Sequence, residues 1–424
     1  MKTKIDIFVC VCVLLTAIAL PQTIHAQDKF FCLVDDDTTI DTSRTNYQSW
    51  NGWYHQTRPA TIKPTGTYRI LNIFVNIYYD QTNSLDPAIG SDSEHWPATT
   101  QPGINNPLTK PDYLTDLMDV DYNPGNVQGI LTRLLYESSF GSLLLLGDFM
   151  VVDIKQSYIT PDNPGGDFTL NNLRNKVFSF INENGGLNTI HGHNSLADYD
   201  SNGDGNIDMV QFITRNTRSD TIVNFGNLNS GSGNVNMGSY NLKINGQMTE
   251  QNSVISNSCA GTGINWVLNP TGIVVHEFSH VLFGSNHFHA SGGNHYLGGN
   301  TNTWFGFEGG YGLMGGYNSG LVSCNSYERW RMNWTSPIHN PNGYEIQANG
   351  LPSDISKNDG PQSFTLRDFV TTGDAVRIKL PYVDEGASNQ YIWLENHQIG
   401  ENNKLDYLQW SLDHNLEPNH EYLK

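Results

Sequence analysis

Residues 274–282 (VVHEFSHVL) place two histidines and a glutamate in the spacing H-E-x-x-H, within an apolar run. On a helix, His276 and His280 lie one turn apart and project from the same face. Two neutral imidazoles with this spacing can bind one zinc ion, and Glu277 can reach a metal-bound water as general base. The alternative is a core helix with two incidental histidines, which the cost of burying polar groups disfavours. The segment therefore predicts a catalytic zinc site.

Catalytic zinc takes three protein ligands and leaves one position open for water. Downstream of the helix, the candidates for the third ligand are His287, His289 and Glu308. Metzincins use H-E-x-x-H-x-x-G-x-x-H, in which the glycine turns the chain back to the metal. Here Gly284 comes one residue late, so neither histidine occupies the standard position. The choice among the three remains open at the level of sequence.

A second signal follows in residues 311–317 (YGLMGGY), where Met314 is surrounded by glycines. Metzincins place a methionine turn beneath the zinc site, downstream of the ligand helix. A glycine-flanked methionine is common by itself, but after an H-E-x-x-H helix it predicts this supporting turn.

Residues 198–208 (DYDSNGDGNID) are rich in side-chain oxygens and resemble the first half of an EF-hand loop. Gln211 stands where an EF-hand has its bidentate glutamate, and the following residues alternate like a strand. The segment therefore predicts a calcium loop that leads into a strand, with an Asx-rich turn as the alternative. The predicted calcium ligands are Asp200, Asn202, Asp204 and Asp208.

Composition and charge narrow the class of protein. The chain has 424 residues, a net charge of −19 and no basic cluster, which argues against nucleic-acid binding. Lys2 and Lys4 precede an apolar run from Ile5 to Leu20, and a short stretch then ends at Ala26, so residues 1–26 are predicted to be a secretory signal peptide. That run is short for a spanning helix, and we expect no stable membrane insertion and a secreted protein.

Cysteine usage fits an exported chain. Of the five cysteines, three follow the predicted signal peptide: Cys32, Cys259 and Cys324. Because an oxidising compartment permits disulfides, we predict a Cys259–Cys324 bridge, which flanks the zinc helix. Cys32 is then a free thiol or a zinc-capping thiolate in a short leader.

Hydrophobic periodicity predicts a succession of strands and helices. Their order predicts an α+β fold, in which a mixed twisted sheet is backed by helices and a hairpin forms an antiparallel edge. The predicted elements are a strand at 67–79, a helix at 127–137, a strand or hairpin at 142–154, a helix at 171–181, a strand at 207–214 and a hairpin at 240–255.

The sequence pattern changes after residue 334, where short predicted strands at 364–366, 375–380 and 390–394 alternate with polar turns. Together with the signal peptide, this change divides the chain into four predicted parts. They are a signal peptide (1–26), a leader or N-terminal wrap (27–66), a catalytic domain (67–335) and a smaller β-rich C-terminal region (336–424).

Several segments together resemble the immune inhibitor A family of secreted metallopeptidases, a metzincin-like group. They are residues 131–141 (LTRLLYESSFG), 197–213 (ADYDSNGDGNIDMVQFI), 276–280 (HEFSH), 312–316 (GLMGG) and 327–334 (YERWRMNW). The resemblance implies a metzincin-like fold, zinc, frequent stabilisation by calcium and activity on extracellular proteins. It assigns His276 and His280 as ligands, Glu277 as base and Met314 to the turn. Where the family has Gly-x-Pro-Asp after the helix, this chain has Gly-Ser-Asn-His at 284–287.

These observations predict a secreted zinc-dependent endopeptidase that hydrolyses peptide bonds through a zinc-activated water, with Glu277 as general base. We expect the strand within residues 247–255 to lie at the sheet edge and to align a protein or peptide substrate by β-augmentation. The alternative is a non-catalytic, calcium-dependent binding protein on a peptidase scaffold. An intact Glu277 disfavours it, because a binding module has no use for the base.

Overall fold

The computed structural model describes twelve parts of the chain, all within the compact unit formed by residues 31–424. They are residues 31–34, 62–80, 96–112, 114–162, 170–190, 192–215, 231–260, 278, 323–332, 334, 366–379 and 391–398.

One mixed sheet organises the described residues. Its strands are β1 (Phe31–Val34), β2 (Gly66–Tyr78), β3 (Gly103–Ile104), β4 (Leu143–Lys155), β5 (Met209–Arg215), β6 (Gly231–Ile244) and β7 (Gln247–Ala260). They lie in the order β1-β6-β7-β5-β2-β4-β3. Neighbours are parallel except for β6 with β7 and β3 with β4. Together with the helices given below, this sheet confirms the predicted α+β class.

The central strands form where the sequence has long runs of β-branched and aromatic residues. The predicted strand at 67–79 is β2, and the predicted strand at 207–214 is β5. The stretch at 142–154, predicted as a strand or a hairpin, forms the single strand β4. Both β2 and β4 are buried almost throughout, as expected for parallel strands that are covered on both faces.

The predicted hairpin is confirmed, but its second strand is not an edge strand along its whole length. Asn245 and Gly246 have φ angles of 49° and 80°, as a type I′ turn between β6 and β7 requires. Val254 of β7 pairs with Asn236 on one side and with Met209 on the other. The predicted edge position is therefore wrong for Val254 and Ile255, which lie between β6 and β5, whereas residues 247–252 pair with β6 alone among the described strands. At Val254 a substrate strand would find no open backbone partner.

Six described α-helices accompany the sheet: α1 (Ile130–Ser138), α2 (Gln156–Ile159), α3 (Leu170–Glu183), α4 (Leu196–Tyr199), α5 (Ser326–Arg331) and α6 (Phe369–Thr372). The predicted helices at 127–137 and 171–181 are α1 and α3. Helix α1 starts later than predicted because the Asp119 carboxylate accepts the N–H groups of Gln128 and Gly129 before the first turn. It ends before Phe140 and Gly141, whose φ angles are 53° and 78°.

Two strands of the predicted C-terminal region are confirmed. β8 (Ala375–Lys379) and β9 (Tyr391–Glu395) form an antiparallel pair. Leu366 is not part of a strand, and residues 364–365 lie outside the described part of the chain. Arg329 of α5 donates to the carbonyl oxygens of Phe369 and Val370 at 3.0 and 3.1 Å, so α5 is bonded to α6.

Hydrophobic side chains form two clusters, one on each face of the sheet, because successive side chains of a strand alternate. We call the side that carries Ile70 and Phe74 of β2 the first face. The side that carries Leu71 and Ile73 is the second face. The cluster on the first face also contains helix α1 residues and Phe278, and the cluster on the second face contains helix α3 residues.

Cys324 is a free, buried thiol in the cluster on the first face. Burial raises its pKa, as does nearby Glu328, while Ser138 and Arg329 lower it. The predicted Cys259–Cys324 disulfide is therefore wrong. Cys324 lies against the end of α1 and the start of α5, whereas Cys259 belongs to β7 and pairs with Thr214. Among the described helices, none is long and apolar enough to cross a membrane.

Candidate metal sites

The residues predicted to bind zinc lie outside the described part of the chain. They are His276, Glu277, His280, His287, His289 and Glu308, and Met314 of the predicted turn lies outside it too. Their roles stay predictions. Phe278, in the middle of the H-E-x-x-H segment, is described: its backbone is helical and its side chain is fully buried in the cluster on the first face.

The predicted calcium loop is described in full, and its side chains bind its own backbone. Asp200 accepts the N–H of Asp204 at 3.0 Å with Oδ1 and that of Gly205 at 2.8 Å with Oδ2. Asn202 Oδ1 accepts from Asp204 at 2.8 Å, and Asp204 Oδ1 accepts from Asn206 at 2.8 Å. The bonds of Asn202 and Asp204 are those of Asx turns, as the alternative interpretation of the segment predicts, whereas Asp200 binds N–H groups four and five residues further along the chain.

Asp208 bonds the end of this loop to its beginning. Its side chain is 1% exposed, and its Oδ2 accepts the N–H of Ser201 at 2.8 Å. Its own N–H donates to the carbonyl oxygen of Tyr199 at 2.8 Å. Burial raises the pKa of Asp208, the bonds to Ser201 lower it, and the charges of Asp200 and Asp204 raise it further. A cation near these three carboxylates would relieve their mutual repulsion.

The donor types of the loop fit calcium, which prefers carboxylate and amide oxygens. A carboxylate oxygen that accepts one N–H keeps a second lone pair for a cation. Within the residues that the structure describes, no three His, Cys, Asp or Glu side chains form a metal-binding group. Gln211 is fully buried in β5, so the loop leads into a strand and departs from an EF-hand as predicted. Calcium binding itself stays a prediction.

Sequence reasoning missed a polar network on the second face, around Asp148 of β4. Asp148 Oδ2 accepts from the Tyr199 hydroxyl at 2.8 Å and from Arg69 at 3.4 Å. His193 Nδ1 lies 3.2 Å from Asp148 Oδ1. Burial raises the pKa of Tyr199, and the neighbouring Asp148 raises it further. Because Tyr199 directly precedes the aspartate-rich loop, this network connects the loop to the sheet.

The first face carries buried polar side chains that sequence reasoning also missed. Neither the nitrogen nor the oxygen of the Gln211 amide has a hydrogen-bond partner. Asn72 is opposite Gln211 on the neighbouring strand β2, and its Oδ1 has no partner either. Asn76 and Asp153 each have a buried Oδ1 without a partner. The signal in the sequence was the pair of asparagines on one side of the apolar strand β2, where β-propensity disfavours asparagine.

No model of a known protein family matches this chain, and no curated protein matches it in sequence. The resemblance to immune inhibitor A peptidases therefore depends on the order and spacing of the motifs alone.

Proposed function

We propose that this protein is a secreted, metzincin-like zinc endopeptidase that hydrolyses peptide bonds of extracellular proteins. The observation that carries the proposal is the H-E-x-x-H segment around Phe278, a buried residue with helical backbone. The spacing of the two histidines supports zinc, and the glutamate between them supports hydrolysis. The α+β fold is compatible with this activity but does not argue for it, since one fold hosts many functions.

Phe278 supports a particular orientation of the proposed site. On a helix, positions two residues before and two residues after a given residue project from roughly the opposite side. His276 and His280 hold these positions relative to Phe278 in the sequence. With Phe278 in the cluster on the first face, a continuous helix would turn both imidazoles away from the hydrophobic core. A metal site open to solvent and substrate needs this orientation.

The proposed chemistry assigns one step to each side chain. His276 and His280 would hold the metal, together with His287, His289 or Glu308. Zinc bound there would supply a Lewis acid for the scissile carbonyl and lower the pKa of a bound water. Glu277 would accept the proton of that water and then pass it to the leaving amine.

Casein turnover with and without a zinc chelator tests the proposal. We expect turnover by the full chain, its loss on chelation and its return when zinc is added back. The variant His276→Ala should bind no zinc and show no turnover under any of these conditions. Turnover that survives complete removal of zinc would contradict the proposal. Absence of turnover from zinc-loaded protein would favour a binding protein on a peptidase scaffold.

The same assay, combined with zinc content, identifies the third ligand. Among His287→Ala, His289→Ala and Glu308→Ala, one variant should lose zinc and activity together, while the other two keep their zinc. Loss of zinc in Glu308→Ala alone would replace the metzincin arrangement with that of the distal-glutamate peptidases.

A further inference from the structure

Three buried polar side chains form a row on the first face, one on each of three parallel strands. Asn76 of β2 is opposite Asp153 of β4 on one side and opposite Arg215 of β5 on the other. Their exposed fractions are 0% for Asn76 and Asp153 and 2% for Arg215. All three lie near the carboxyl ends of their strands. We call this set the polar row.

Residues 96–109, which we call the strap, are bonded to each member of the polar row. Arg215 Nε donates to the carbonyl oxygen of Trp96, and Asn76 Nδ2 donates to that of Pro97 at 2.9 Å. The Thr109 hydroxyl donates to Asp153 Oδ2 at 2.8 Å. Three strands therefore hold one segment through their side chains.

The strap is also bonded to the backbone of β4. Gly103 and Ile104 pair with Asp153 and Val152 in antiparallel register. The N–H of Asn105 donates to the carbonyl oxygen of Val151 at 2.8 Å. The Asn105 amide, which donates to β4, reports directly on whether the strap is closed.

Of the three side chains that bind the strap, Asp153 is the least well satisfied as an anion, because its Oδ1 is buried without a hydrogen-bond partner. Burial raises the pKa of Asp153 to about 6, and the polar side chains of Thr109, Asn106 and Thr99 lower it. The Thr99 hydroxyl already donates to the carbonyl oxygen of Gln101 at 2.6 Å, so it has no proton left for Asp153. The closed site therefore favours the neutral acid.

No charged side chain of the strap offsets this preference, since residues 96–109 (WPATTQPGINNPLT) contain none. On the first face of the adjoining strands, the titratable or charged side chains toward this end are Tyr78, Lys155 and Arg215. Arg215 is separated from Asp153 by strand β2 and donates to Trp96. None of these three acts on Asp153 strongly enough to count among the causes of its raised pKa.

We propose that the strap is a pH-responsive cover, closed over the carboxyl ends of β2, β4 and β5 while Asp153 is protonated and opening when Asp153 ionises. Ionisation leaves a negative charge in a site with too few donors, and opening lets water solvate it. Ligands of parallel sheets commonly bind outside the carboxyl ends of the strands, which is the edge that opening would expose. The inference does not depend on peptidase activity.

The direction of the pH dependence follows from linkage. The pKa of Asp153 in the closed state, about 6, lies above its ordinary value of 3.8. The closed state therefore binds the proton more tightly, and its advantage is lost as pH rises between these two values. A difference of about two units corresponds to at most about a hundredfold change in the opening equilibrium.

Hydrogen exchange of the strap amides, measured on the full chain across pH 4 to pH 8 and corrected for intrinsic exchange, tests the proposal. We expect exchange of the Asn105 amide to rise roughly tenfold to a hundredfold between about pH 4 and pH 6 and to level off at higher pH. Asp153→Asn, a neutral isostere of the protonated acid, should abolish this step. Asp112→Asn, which removes an exposed carboxylate beyond the strap, should keep it.

Thr109→Val provides an independent check if Asp153→Asn fails to fold. Removal of the hydroxyl deletes a hydrogen bond that lowers the pKa of Asp153, so the step should move to higher pH. A purely structural role of Thr109 would speed exchange at every pH without moving the step. The proposal is overturned if wild-type exchange shows no step, or if the step survives in Asp153→Asn or stays in place in Thr109→Val.

Discussion

The two faces of the sheet differ in how well their buried polar side chains are hydrogen-bonded. On the second face, Asp148 is surrounded by Tyr199, Arg69 and His193, all within 3.4 Å of its carboxylate oxygens. On the first face, Gln211 is buried without a partner for either atom of its amide. An unsatisfied buried polar group costs about 1–3 kcal/mol, so the first face is the more expensive to maintain.

This difference shows which face of the sheet carries a cost in stability. Proteins break the rules of core packing mainly at functional positions, and pay for it elsewhere in the fold. The first face is the one that contains Phe278 of the H-E-x-x-H segment and that lies beneath the strap. We therefore expect substitutions on the second face to change stability alone. Substitutions on the first face can raise stability and lower function at the same time.

Phe212→Ala should give the largest loss of stability. Phe212 is fully buried on the second face, and its ring packs edge-on against Phe178 at 5.5 Å. Truncation removes apolar contacts and leaves a cavity, for which about 3–5 kcal/mol is typical. Urea unfolding with an unchanged slope measures the loss. A loss below about 1 kcal/mol would show that the second face is not well packed.

Gln211→Leu, at the neighbouring position of the same strand, should have the opposite sign. Its amide has no partner on the first face, so an apolar side chain of similar size removes a desolvation cost and should stabilise the protein by about 1–2 kcal/mol. The same urea titration compares the two variants. Destabilisation by Gln211→Leu would mean that buried water or another group satisfies the amide, and the contrast between the faces would fail.

Removal of calcium should have the smallest effect, because the loop at 200–208 is largely exposed. We expect a calcium-selective chelator to lower the thermal midpoint by a few degrees, since Asp200, Asp204 and Asp208 then repel one another. In Asp204→Asn the chelator should have less effect. A midpoint that is the same with calcium and with chelator would argue against a bound ion and leave the loop as an Asx-rich turn.

Features that depend on neighbouring residues could be predicted from the sequence. The strands β2 and β5, the helices α1 and α3, the break at Phe140 and the turn at Asn245 all follow from local periodicity or local backbone preference. The hydrogen bonds of the aspartate-rich loop are also local, since Asp200 bonds to Asp204 and Gly205.

Features that depend on the register of distant strands could not be predicted. The position of β7 inside the sheet required knowledge that β6 and β1 lie beyond it. The network around Asp148 joins Arg69 to His193, and the strap bonds Trp96 to Arg215. Local patterning carries no information about such pairs. The absent disulfide has the same cause, because proximity to the zinc helix in sequence said nothing about where Cys324 packs.

The most direct test of the proposed function is casein turnover by Glu277→Ala, with zinc content measured on the same sample. Glu277 is predicted to act on the metal-bound water without being a ligand. The variant should therefore bind as much zinc as the wild type and lose about two to four powers of ten in rate. Turnover within tenfold of wild type in the zinc-loaded variant would contradict the assignment of Glu277 as the general base, and with it the proposed peptidase mechanism.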